Sequence, residues 1–362
     1  GVGNGAAAAA RHALPPGPPR SRSAGSVPSL DDLASDTGLL DDSSALPVLV
    51  YCHGGGWVFF GGDALAAYDD VCEQIARRAR CVVVAPDYRL APEHKFPVPF
   101  NDACDAVRWV LANAASLGGR SDRVMVGGDS AGGNLAAAVC LRARDEGWAP
   151  RLIGQALIYP VTCHAFDSAT MAAYGGTHML SEDVMRWFSS SYLRSPADAS
   201  HPYAAPLACP DLSRLPPALV ALAEFDVLRA DGRAFAAALA AAGVSVSVAH
   251  FRGTPHGFAS MRALFPTAQD ALVTEVAQFV RFWAEVRAEV EAASMLQAAV
   301  ALSADRDDAV MVSRPSALRS VGVLDADGTH DGAPSFGYSG GIMPVDEGVE
   351  DDLLANPFTP TP

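Results

Sequence analysis

The pentapeptide Gly128-Asp129-Ser130-Ala131-Gly132 has the G-x-S-x-G form and stands where an apolar run gives way to a helix-like one. Val124-Met125-Val126 reads as a buried strand, and the small-residue run from Gly133 and Asn134 through Val139 to Arg144 reads as the helix after it. A serine between them sits on a sharp, exposed turn, a nucleophile elbow. Such a turn brings together the residues two before and two after the serine, so both must lack bulk, and Gly128 and Gly132 do. The helix N-terminus behind Ser130 adds backbone N–H groups and a dipole suited to developing negative charge. By itself the pentapeptide arises often by chance in a Gly- and Ala-rich chain, so the rest of the sequence must decide.

A serine hydroxyl is a poor nucleophile and needs a base, a carboxylate to orient that base, and donors for an oxyanion. Donors fit His53-Gly54-Gly55-Gly56, directly after the apolar segment Val48-Leu49-Val50-Tyr51-Cys52, because consecutive glycines let N–H groups approach a ligand with no Cβ in the way. A plain glycine turn is the alternative. The acid is assigned to Asp226, after the strand-like run Ala218 to Ala223, at the sheet edge where open α/β folds carry function. Asp226 as the cap of a helix starting near Asp231, and Glu224 as a rival acid, stay open. The base is assigned to His256, in the loop Gly253-Thr254-Pro255-His256-Gly257-Phe258 that follows the alternating segment Val244 to Val248; a merely solvated loop histidine is the bland reading.

Ser130, Asp226 and His256 occur in the chain order in which α/β-hydrolases present their triad, with the glycine loop upstream. The chain resembles the hormone-sensitive-lipase-like (family IV) carboxylesterases of that fold, a group that includes bacterial esterases, arylacetamide deacetylases and plant carboxylesterases. The resemblance is carried by His53-Gly54-Gly55-Gly56-Trp57, Asp87-Tyr88-Arg89-Leu90-Ala91-Pro92-Glu93-His94, the elbow, Leu215-Pro216-Pro217-Ala218-Leu219, Glu224-Phe225-Asp226-Val227-Leu228 and His256-Gly257-Phe258, spanning about residues 46 to 285. It implies Ser130 as nucleophile, His256 as general acid and base, Asp226 as its orienting partner, and an oxyanion hole from the N–H groups of Gly55, Gly56 and Ala131. It implies structural support of the site from His53, Gly54, Asp87, Gly128 and Gly132. It implies ester hydrolysis of short to medium acyl chains through an acyl-enzyme, with a small-molecule ester as substrate and no cofactor or metal. Asp226-Val227-Leu228 departs from the family's Asp-Pro-Leu. Plant gibberellin receptors resemble the same group but lack the histidine, so a ligand receptor or an inactive paralogue is the alternative.

Strand-like segments near 47 to 52, 81 to 86, 123 to 127, 154 to 159, 218 to 224 and 245 to 251 alternate with helix-like ones near 65 to 79, 101 to 115, 131 to 146, 231 to 242 and 268 to 290. The pattern predicts an α/β fold, a mostly parallel, doubly wound sheet. The hydrolase domain is expected over 46–290. The connection at about 160–217 breaks the rhythm and is assigned to a helical lid, with Val184, Met185, Trp187, Phe188 and Leu193 as candidate pocket-lining residues and an ordinary packed helix as the alternative.

Only 52 residues precede His53, fewer than the family carries, which predicts incomplete N-terminal strands and an incomplete lid. Residues 1–45 are of low complexity. The first 30 hold three Arg and no acidic residue, as an organelle transit peptide would, with a plain low-complexity tail as the alternative. Residues 291–362 are read as a helix end and an acidic, disordered tail; from Ser303 onward eleven Asp and Glu face three Arg, −8 of the chain's net −15. So acidic a chain argues against nucleic acid as a partner. No apolar stretch reaches the roughly 18 residues of a membrane span, and no secretory signal is visible, so a cytoplasmic or organellar location is expected. The seven cysteines show no C-x-x-C spacing and read as reduced core residues.

Overall fold

The structure, a computed structural model, describes residues 45–304 apart from 177 and 178, with side chains to 297. The expected low-complexity segment with its transit-peptide reading, and the acidic tail beyond 304, lie outside the described residues. Six strands form one sheet: β1 (Leu46–Cys52), β2 (Val82–Val84), β3 (Gly119–Asp129), β4 (Leu152–Ile158), β5 (Ala218–Phe225) and β6 (Val246–Pro255), in the order β2-β1-β3-β4-β5-β6. Every neighbouring pair is parallel. The central strands read as unbroken apolar runs because helices cover both faces, while β6, at one edge, alternates in burial.

Seven helices supply the cover: α1 (Asp69–Ala79), α2 (Val98–Asn113), α3 (Ala131–Asp145), α4 (Ala169–Tyr174), α5 (Glu182–Tyr192), α6 (Arg229–Ala241) and α7 (Pro266–Ala304). Strand alternation sorts the core into two layers. Val48, Val50, Val124, Val126, Val220 and Leu222 point to the layer filled by Phe100 and Val107 of α2, Leu135 and Val139 of α3, and Phe235 and Leu239 of α6. Leu49, Tyr51, Met125, Leu219 and Ala221 point the other way, onto Val71 and Ile75 of α1 and Leu272, Val276 and Val280 of α7. Each such fully buried Val, Leu or Phe contributes about 1.5–3 kcal/mol. Truncating one at the centre, as in Leu135→Ala, costs about 2–5 kcal/mol.

The chain steps from β1 outward to β2, then returns to the opposite side of β1 as β3. The carboxyl ends of β1 and β3 therefore flank a topological switch point, where open α/β sheets leave a crevice. The register pairs Cys52 with Gly128, so the His53 to Gly56 loop and the Ser130 elbow leave the sheet side by side.

Between β4 and β5 the insertion carries α4, α5 and two short 3-10 turns. Ser181 caps α5, accepting the Val184 N–H at 3.2 Å. At its other end the Lys95 ammonium donates to the carbonyls of Ser190, Ser191 and Leu193 at 2.7, 2.7 and 3.1 Å, matching the negative end of the helix dipole. The five residues assigned to the pocket divide. A period of 3.6 turns Met185 and Phe188 into the core with Leu193, whereas Val184 and Trp187 are exposed.

Candidate active site

Ser130 follows β3 directly and adopts φ 56°, ψ −118°, a backbone conformation that costs a non-glycine residue about 1–3 kcal/mol. Its N–H donates to Ile158 O at 2.8 Å, and its carbonyl accepts the N–H groups of Asn134 and Val161 at 3.0 and 3.2 Å. A Cβ on Gly128 would lie 2.2 Å from Cys52 O and 2.7 Å from the carbonyl carbon of Gly132. One on Gly132 would lie 1.9 Å from Cys52 O. The two glycines crowd each other, as the motif requires, and both are pressed against the end of β1.

His256 comes one residue after β6. Its Nε2 lies 2.9 Å from Ser130 Oγ and its Nδ1 2.8 Å from Asp226 Oδ2. Asp226 is buried just past β5, and its second oxygen, Oδ1, accepts the Leu228 N–H at 2.9 Å. Asp226 thus meets the histidine and also braces the turn before α6, but it is not the cap of that helix: the N-cap is Leu228, with no side-chain cap bond. The rival Glu224 does not reach His256: its Oε2 accepts the Gly253 N–H at 2.6 Å, bracing the loop that carries the histidine.

Gly55 and Gly56 have φ of 100° and 60°, values that glycine alone adopts without strain. Neither N–H meets a protein acceptor among the described residues. Ala131 opens α3, where the first N–H groups have no carbonyl one turn back. The three groups assigned to the oxyanion are thus free to take a ligand oxygen. His53 is buried. Its Nδ1 lies 2.8 Å from Gly54 O, a pairing that puts the proton on Nδ1, and its ring stacks on Tyr88 at 4.2 Å. Burial lowers its pKa, against the opposing pull of the Gly54 carbonyl and Asp87. Tyr88 donates to His53 O at 2.7 Å, and both oxygens of Asp87 accept the Gly62 N–H at 3.1 Å, fixing the loop from both sides.

Sequence reasoning missed the surroundings of Asp129, the variable residue of the elbow. Its buried carboxylate accepts the hydroxyls of Tyr51 at 3.1 Å, Tyr68 at 3.3 Å and, at the long limit, Tyr159 at 3.5 Å. Burial pushes its carboxyl up to about 6, against the pull of His256, the tyrosine hydroxyls and the Gly54 N–H. Also missed was a seam within the insertion between β4 and β5, where His164 joins Ala204 O through Nε2 at 3.2 Å and the Ser189 hydroxyl of α5 through Nδ1 at 2.9 Å. Burial pushes His164 down to about 4. The seven cysteines are free thiols, and burial raises Cys52, Cys72, Cys81 and Cys104 to about 12, where they are inert. Among the described residues no three His, Cys, Asp or Glu gather as a metal site, and no helix is long and apolar enough to cross a membrane.

A serine at a strand-to-helix elbow beside the switch point, with histidine and carboxylate from the last two strands, defines the α/β-hydrolase class. The chain belongs to the α/β-hydrolase family, in its hormone-sensitive-lipase-like carboxylesterase group: a sequence model described as alpha/beta hydrolase fold matches residues 49–260. It is 41% identical over 229 residues to the carboxylesterase NlhH of Mycobacterium tuberculosis, covering 62% of this chain and 70% of that one. To the ethyl acetate hydrolase of Pseudomonas putida it is 38% identical over 238 residues, covering 65% and 73%. Its fold is similar to that of EstE1, a thermophilic carboxylesterase from a metagenomic library, with a TM-score of 0.63 and 40% identity over 66% of this chain and 81% of that one.

Proposed function

We propose that the protein is a carboxylic ester hydrolase that works by two-step acyl transfer, with Ser130 as nucleophile, His256 as general base and then acid, and Asp226 orienting the imidazole. The observation that carries this reading is the unbroken relay from Asp226 Oδ2 through His256 to Ser130 Oγ, at 2.8 and 2.9 Å. His256 takes the serine proton as Oγ attacks the ester carbonyl, and the N–H groups of Gly55, Gly56 and Ala131 take the oxyanion. The imidazolium then protonates the departing alcohol. A water, deprotonated by the same histidine, releases the acid and restores Ser130.

The substrate is a small ester of short to medium acyl length. Support comes from the aromatic wall around the glycine loop. Phe188 of the lid packs on Gly56, and Phe59 stacks on Trp187 with centroids 6.0 Å apart at the exposed rim. The similarity to an ethyl acetate hydrolase points the same way. We read the insertion at about 160–217 as the lid of this pocket and the compartment as cytoplasmic or organellar.

The test is hydrolysis of p-nitrophenyl esters of increasing acyl length by the full chain, beside Ser130→Ala and His256→Ala. Activity that falls with acyl length and vanishes in both variants supports the reading; activity that survives in Ser130→Ala sinks it.

A further inference from the structure

We propose that Asp129 is a positioning residue for this reaction: its buried carboxylate, gripped by tyrosine hydroxyls, holds the glycine loop on one side of Ser130 and the His256 loop on the other. The inference rests on the assignment of Ser130 and His256 made above.

Two chains of hydrogen bonds run outward from Asp129. Tyr68 donates to Oδ2, and the same phenol oxygen accepts the Gly54 N–H at 3.0 Å, one residue before Gly55. Tyr159 reaches Oδ2 as well, and its oxygen accepts the Ala259 N–H at 3.3 Å, three residues after His256. The Tyr159 ring also lies against the imidazole, with centroids 4.6 Å apart. Tyr51 of β1 holds the other oxygen. The residue next to the nucleophile thus sets where the oxyanion donors and the base stand relative to it.

The geometry calls for an acceptor-only side chain. Every polar group directed at Asp129 is a donor, and an ionised carboxylate offers about four lone-pair sites and no proton of its own. The fit is close, since a Cβ on Gly54 would lie 2.5 Å from Asp129 Oδ2 and 2.9 Å from the Tyr68 oxygen. The first glycine of the loop is therefore needed to let the loop rest on the carboxylate. A buried anion is costly. The titratable groups around it are His256, Tyr51, Tyr68, Tyr159, Tyr88 and the thiols of Cys52 and Cys72, so His256 is the one that gains positive charge. Its charge then favours the imidazolium that forms when Ser130 loses its proton.

The test measures kcat and KM on p-nitrophenyl acetate for Asp129→Asn, Tyr68→Phe and Tyr159→Phe, with Ser130→Ala alongside and active sites counted by the p-nitrophenol burst. Misplacement of catalytic groups by about 1 Å costs up to about 10²-fold. Asp129→Asn is expected to lose about ten- to a hundredfold in kcat with KM nearly unchanged. Tyr68→Phe and Tyr159→Phe each cut one of the two chains and lose kcat in the same way, by less. A wild-type kcat in Asp129→Asn, or a raised KM with intact kcat, overturns the inference. Should Asp129→Asn fail to fold, unchanged kcat in both tyrosine variants overturns it. A Ser130→Ala variant as active as the parent overturns the reading of the site itself, which separates the two failures.

Discussion

Phe188 of α5 lies directly over Gly56: a Cβ built on that glycine would be 2.1 Å from the ring's Cδ1. A side chain of the insertion and a proposed oxyanion donor share one van der Waals surface, so the two are set together. Gly56→Ala meets both the ring and a φ of 60°, and displaces its own N–H. It should lose about 10²–10³ in kcat, the cost of one missing donor. Gly147→Ala is the control, since Gly147, just past the C-terminal end of α3, has φ 79° with open space around its Cβ position. It should lower stability by about 1–2 kcal/mol and leave kcat alone. Equal kinetic losses in the two variants would assign the effect to backbone strain.

Ser130 separates chemistry from strain. Ser130→Ala and Ser130→Gly should both lose on the order of 10⁶ in kcat, the loss seen for the nucleophile of another serine hydrolase. Ser130→Gly alone relieves the φ of 56° and should melt higher than Ser130→Ala by the equivalent of about 1–3 kcal/mol. Calorimetry on the two inactive variants decides, and identical melting points would show that the elbow carries no such strain.

The elbow, the glycine loop and the order Ser130, Asp226, His256 were legible because each is a local pattern tied to one backbone event. Two neighbours of the elbow were not, since Tyr51 and Tyr68 reach Asp129 from 78 and 61 residues away and nothing local marks them. Tertiary pairing also moved boundaries. β6 runs to Pro255, past the expected 251, because a register shift after Ala223 pairs Phe225 with Pro255 and so delivers His256 to the site. α6 opens at Arg229, ahead of the expected 231, on the turn that Asp226 holds. α7 continues from the expected 290 to Ala304 because Glu-Ala-Ala-Ser-Met-Leu-Gln-Ala-Ala has high helix propensity and no breaker.

Glu224 and Asp226 were the two candidate acids, and their geometry gives them different phenotypes. Asp226→Asn breaks the contact that orients His256 and should cost on the order of 10⁴ in kcat, as the equivalent change does in another serine hydrolase. Glu224→Gln keeps an acceptor for the Gly253 N–H and should stay within about tenfold of the parent, since an amide oxygen only weakens a charge-assisted bond. Side-by-side kcat values on one ester decide, and a larger loss in Glu224→Gln would reverse the assignment.

Asp129 and His164 make opposite demands on acid stability. Asp129 rises from 3.8 to about 6 on folding, so across that window the folded state binds more protons and stability falls as pH rises. His164 drops from 6.5 to about 4, so across its window the unfolded state binds more protons and stability falls as pH drops. At about 1.4 kcal/mol per pKa unit each effect is worth about 3 kcal/mol, and in the parent they largely cancel between pH 4 and 6.5. Asp129→Asn removes one side. Its Tm relative to the parent should fall progressively on acidification, because only the parent gains stability by taking up a proton at this site. His164→Gln should do the reverse, with a Tm relative to the parent that improves as pH falls. Melting curves for the three proteins from pH 4.5 to 7.5 test both at once. Parallel curves would mean that neither group changes its protonation on folding, and crossing curves would identify the buried carboxylate beside Ser130 as a charge held at a cost in stability.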